Sequence, residues 1–90
     1  GNEKVGSIAV PTPFTIVADT DNSTLQFKTN LASTVDDAEK GGWVRFTSGA
    51  RAGLPPKRIS TYNGTTKIIT LSSSFVSAPA TGVTGVIQIS

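Results

Sequence analysis

The sequence contains no cysteine, no histidine and no methionine. Without Cys there is no disulfide, no thiolate metal site and no cysteine nucleophile. Without His the commonest metal ligand and the commonest general base near neutral pH are both missing. Aromatic residues are few: four Phe, one Trp and one Tyr in 90 residues. No apolar run approaches the roughly 20 residues of a membrane-spanning helix. The apolar stretches within residues 5–18 are interrupted by Pro11 and Pro13 and do not read as a secretory signal. The leading Gly1 and the missing initiator Met read as a processed or excised chain, with a longer natural protein expected.

Hydroxyl and β-branched residues are plentiful, with ten Ser, thirteen Thr, eight Val and seven Ile. That supply leans towards strand. The length fits one small domain, residues 1–90, in which residues 1–6 read as a flexible lead-in. A domain of this size buries a modest core and commonly gains stability from a partner. The composition favours a structural or binding module over an enzyme, and no cofactor is implied.

Charge is unevenly spread. Residues 1–40 hold all six acids against three bases (Lys4, Lys28, Lys40), a balance of −3. Residues 41–90 hold five bases (Arg45, Arg51, Lys57, Arg58, Lys67) and no acid, a balance of +5. The halves can neutralise each other within the fold or across a subunit contact. Alternatively, the second half presents a basic face to an anionic partner.

Alternation and turn residues predict an all-β fold of about six or seven short antiparallel strands, a small sandwich or barrel. Strands are expected at 7–10, 14–18, 24–28, 43–47, 57–62, 66–71 and 85–89. Pro11 and Pro13 should end the first, since proline lacks the ladder donor. Leu25 and Phe27 are expected to point inward. Trp43 and Arg45 share one face of their strand, with Val44 and Phe46 on the other, and alternation alone does not choose the core side. Thr34, Asp36, Asp37 and Gly41 mark one short helical turn near 34–40. Gly49 and Gly53 punctuate a loop that runs to Pro55-Pro56, and Asn63-Gly64 is a hairpin signal.

Candidate chemistry is sparse. Asp19-x-Asp21-x-Ser23 opens like a calcium loop but has Thr24 and Asn30 where an EF-hand places Gly and Glu, so it reads as a turn. Asp36 and Asp37 fit helix capping. No Ser-x-x-Lys pairs a hydroxyl with an activating amine, so no catalytic residue and no metal ligand is assigned. Asn22-Ser-Thr24 and Asn63-Gly-Thr65 match the glycosylation acceptor pattern, which is common by chance. Arg51, Lys57 and Arg58 with Trp43 and Tyr62 form the candidate interface or ligand-contact set. Such a surface stacks sugars or bases and meets phosphates. Nucleic acid is the weaker of these readings, because no nucleic-acid module signature is present.

Residues 30–89 carry a more specific pattern. Thr34-Val-Asp-Asp is followed by Gly42-Trp-Val-Arg-Phe-Thr-Ser-Gly-Ala-Arg-Ala-Gly53. Then come Lys57-Arg-Ile-Ser-Thr-Tyr-Asn-Gly-Thr-Thr-Lys67, Phe75, Ala78-Pro79 and Val86-Ile-Gln-Ile89. This resembles a small β-module of tailed-bacteriophage virion proteins, and Phe46-Thr-Ser-Gly-Ala-x-Ala-Gly53 is its most specific piece. Val17-Ala-Asp and Thr24–Asn30 resemble its usual start. Leu54-Pro55-Pro56 and Gly82-Val-Thr depart from the pattern, both in loops.

The resemblance implies a non-enzymatic virion structural protein in a capsid-decoration, tail or fibre role, assembled in the host cytoplasm. It implies other virion proteins and further copies of this chain as partners, and no membrane. The alternative is a carbohydrate-binding module of a fibre or spike that contacts host surface glycan through Trp43 or Tyr62. Arg58 is expected to anchor the 48–56 loop through its carbonyls or through Asp36 or Asp37.

Overall fold

The computed structural model describes residues 11–89. The expected strand at 7–10 lies outside them. Within them run six strands and no helix: β1 (Thr12–Thr15), β2 (Gln26–Lys28), β3 (Trp43–Phe46), β4 (Lys57–Asn63), β5 (Ile68–Leu71) and β6 (Thr84–Gln88). All neighbours are antiparallel, in the order β1-β6-β3-β4-β5-β2.

The two outer strands then meet. Ile16 and Thr29 form an antiparallel bridge. The Val17 amide donates to the Lys28 carbonyl at 2.9 Å, and the Asn30 amide to the Thr15 carbonyl at 3.2 Å. The sheet is therefore closed on itself, as a barrel rather than a sandwich. Two asparagines hold the seam. Asn22 donates to the Val17 carbonyl and accepts from the Lys28 amide, and Asn30 accepts from the Thr15 amide. Pro13 sits inside β1, not beyond a strand end. Its level of β1 pairs on one side only, with Val86, so the missing donor costs no ladder bond on the other side.

Closure turns one face of every strand inward. Phe14, Phe27 and Phe46, from three different strands, form a triangle with centroids 5.9–6.0 Å apart. Ile16, Leu31, Val44, Ile59, Ile69, Leu71 and Ile87 join them in the buried core. This answers the ambiguity in β3: Val44 and Phe46 are inside, while Trp43 and Arg45 face out. Leu25 does not point inward as expected. It precedes β2 and is 39% exposed, and Phe27 alone carries that strand's core contact.

β4 contains an irregularity. Its register with β5 shifts between Ile59 and Thr61, a β-bulge. Strict alternation from Ile59 would leave Tyr62 outside, and the extra residue brings Tyr62 in. The ring is 1% exposed, and its hydroxyl donates to the Ser33 carbonyl at 2.6 Å.

The expected helical turn at 34–40 is a run of tight turns instead. Asp37 takes a left-handed φ of 59°, which a helix interior does not hold. Asp36 and Asp37 do not cap a helix. Asp36 accepts from the Gly64 amide, and Asp37 accepts from the Tyr62 amide while donating its own N–H to the Tyr62 carbonyl. The carboxylates thus tie this segment along the far half of β4, where β3 has run out. The Asn63-Gly64 turn is also longer than a two-residue hairpin. Asn63 Oδ1 accepts from the Thr65 and Thr66 amides, and the Lys67 amide closes back on the Asn63 carbonyl with Lys67 at φ 66°.

Candidate functional site

The outer face of β6, β3 and β4 is built by register. Trp43 lies opposite Gln88 on one side and Arg58 on the other. One step along, Arg45 lies opposite Val86, which in turn faces Pro13. Alternation forces this grouping: Val44, Phe46, Ile59 and Ile87 are inside, so their neighbours in sequence must be outside. Arg45 and Trp43 are two residues apart on one strand, about 7 Å along it.

The Arg58 guanidinium stacks 4.2 Å from the Trp43 ring centroid. This cation–π contact restrains the side chain while leaving guanidinium N–H groups to meet a carboxylate or phosphate. Arg58 does not anchor the 48–56 loop as expected. That work falls to Arg51, which donates to both the carbonyl and the hydroxyl of Ser77 and lies 4.9 Å from the Phe75 centroid. Lys57 approaches the same ring at 5.1 Å and donates to Ser73. Phe75 in turn packs on Phe46 at 5.5 Å and closes one end of the barrel. Next to it, Leu54, Pro55, Pro56, Lys57 and Val76 line a shallow apolar notch, with Leu54 half exposed and Val76 fully so. Pro56 also borders the groove beside Trp43, Arg45 and Gln88, so notch and arginine face are continuous.

The sequence-based candidates therefore divide. Trp43 and Arg58 are together on the face, while Lys57 turns to Phe75 and Ser73. Arg51 is committed to tying two loops. Tyr62 is not a surface group: the bulge and its bond to Ser33 place it in the core, so of the two candidate sugar-stacking rings only Trp43 faces out. Gly49 and Gly53 hold left-handed φ values of 78° and 84°, as their loop requires. Gly64 is required for another reason, close backbone contact, since a Cβ there would fall 2.7 Å from the Val35 nitrogen and closer still to the Thr34 carbonyl. Arg45 and Phe75 were missed as site residues. The shared face of Trp43 and Arg45 was the signal for the first. Nothing in the sequence ties Phe75 to the barrel end.

Among the described residues the charges do not pair with one another inside the fold. Among the described residues, the carboxylates of Asp19, Asp36 and Asp37 bond backbone amides, while Arg51, Lys57 and Lys67 bond carbonyls and hydroxyls. No ion pair forms between described acids and bases. Arg45 and the Arg58 guanidinium have no hydrogen-bond partner among them. Asp36 and Asp37 line a depression with Thr61 and Asn63 at the far end of β4, and Asp21 lines its neighbour with Gln26 and Thr66. Basic and acidic surfaces thus sit at opposite halves of one strand. Among the described residues no group of three acids gathers as a metal site, and no helix is long and apolar enough to cross a membrane.

Burial, and secondarily the nearby Glu39 carboxylate, push the Tyr62 phenol above its ordinary 10.0. The folded state then holds this proton more tightly than the unfolded chain. The resulting stability is intact below the unfolded value and is lost as pH rises from there through the folded value. Tyr62→Phe is expected to lose about 1 kcal/mol at neutral pH, the worth of one hydrogen bond. The Ser33 carbonyl keeps a partner in Lys67 Nζ at 2.7 Å, so the loss should not be larger. Denaturant titrations above about pH 10 should show a decline in the parent that is smaller in the variant.

The chain matches no family model, no curated protein and no solved structure.

Proposed function

We propose that this chain is a non-enzymatic structural module of a tailed-phage virion that assembles through its outer barrel face. The observation that carries this reading is the unneutralised face of Trp43, Arg45 and Arg58, whose two cations meet no acid within the described fold. A small barrel packed with aromatic side chains keeps its chemistry on the outside, where it serves contact. The resemblance of Phe46–Gly53 and its flanking strands to the virion module supports the setting. Its turn glycines also fit, because Gly49 and Gly53 hold the left-handed conformations that such a loop needs.

The reading has partners of two kinds, other virion proteins and further copies of the chain. A free sheet edge gives no reason for self-association here, because β1 and β2 meet. Charge supplies the replacement.

The test is compositional. Particles banded from a lysate of the host that carries the gene should yield the tryptic peptide Ile59–Lys67 at a fixed ratio to the major capsid protein. Recovery of that peptide only from the soluble lysate, and never from the particles, would reject the virion reading.

A further inference from the structure

We infer that the Trp43–Arg58 face is the docking surface for a second copy of this chain, and that Arg45 and Arg58 of one copy meet Asp36 and Asp37 of the other. The inference rests on the assembly reading above and names its partner and its surface.

Four observations converge on it. Arg58 carries its guanidinium carbon over the Trp43 ring, 4.2 Å from the centroid, and this contact restricts the side chain before any carboxylate arrives. Arg45 stands on the same face one pleat away, giving two cations on one rigid sheet. Asp36 and Asp37 are equally fixed, because each Oδ1 accepts from a backbone amide, Asp36 from Gly64 just beyond β4 at 2.8 Å and Asp37 from Tyr62 of β4 at 3.1 Å. Each carboxylate keeps a second oxygen for an outside donor. Finally, the two groups do not reach one another within a single copy, so the pairing is available only between copies.

The surroundings suit a protein partner. The arginine face continues through Pro56 into the notch of Leu54 and Val76, which gives a basic contact an apolar rim. Complementary patches of this kind steer encounter and fix register. A nucleic acid would use the arginines alone and leave the acidic half of β4 without a role.

Two variants separate these cases. Arg45→Glu with Arg58→Glu reverses the face at exposed positions. Asp36→Asn with Asp37→Asn removes the charge while keeping the Oδ1 acceptors that the fold uses. Circular dichroism and thermal melting confirm that each is folded. Native mass spectrometry at low salt is expected to show self-association of each variant weakened at least about tenfold relative to the parent. Mixing the two is expected to restore association above that of either alone, because the intact acids of the first meet the intact arginines of the second. Self-association of the arginine variant at parental strength, or a mixture no stronger than its components, overturns the proposal. So does a parent that stays monomeric but binds DNA through Arg45 and Arg58. The virion reading is judged separately, by particle composition, and survives a failure confined to this surface.

Discussion

Gly64→Ala is expected to destabilise the fold by at least about 3 kcal/mol, the upper range for overpacking, because the atoms it meets are backbone. The added Cβ falls 2.7 Å from the Val35 nitrogen and nearer still to the Thr34 carbonyl. Neither can yield as a flexible side chain would. The 34–38 segment must lift off β4. That would strain the Asp36 bond to the Gly64 amide and both bonds between Asp37 and Tyr62. Gly53→Ala is the matched control. It has a φ of 84° with nothing within 4 Å of the new Cβ, so its cost is backbone strain alone, about 1–2 kcal/mol. Urea denaturation of the two variants side by side checks the difference. Equal losses would show that the 34–38 segment does not sit on the hairpin.

Phe27→Ala is expected to cost about 3–5 kcal/mol, the range for a fully buried aromatic. Phe27 is 0% exposed and touches both Phe14 and Phe46 across the barrel. β2 has only three residues and brings no other core side chain, so the seam with β1 depends on this ring. Small domains commonly hold about 5–15 kcal/mol in total. The variant should therefore have a strongly lowered Tm, and amide exchange should accelerate first at Val17 and Asn30, whose hydrogen bonds cross the seam. A uniform loss of protection with the seam unchanged in rank would contradict this reading of closure.

The all-β class and the positions of five strands were legible in alternation and turn residues, and the inward Phe27 follows from it. What alternation could not supply was long-range. The bulge in β4 depends on pairing with β5, and one extra residue moved Tyr62 from outside to core. Closure depends on Ile16 meeting Thr29, and the side chains that secure it, Asn22 and Asn30, read locally as turn and loop residues. Asp36 and Asp37 followed helix-capping rules in sequence but found better acceptor roles on β4, which only the tertiary fold brings near.

The candidate site was partly legible for the same reason. Trp43 and Arg58 come together because register sets them opposite each other, whereas Lys57 lies opposite the buried Val44 and turns to Phe75 and Ser73 instead. Arg51 and Arg58 exchanged expected roles, since the loop that Arg51 ties is 26 residues away in sequence. The charge split between the halves was visible at once in composition. Its meaning came from the fold, where the two signs occupy opposite halves of β4 and leave each other unpaired.

The most direct test of self-association through complementary charge is the light-scattering mass of the unmodified chain as salt is raised. Between about 20 mM and 0.5 M NaCl the screening length shrinks several-fold, which weakens exposed pairs most. The expected result is a mass above the monomer at low salt that falls towards the monomer at high salt. A monomer at every salt and protein concentration, or an oligomer indifferent to salt, would contradict it.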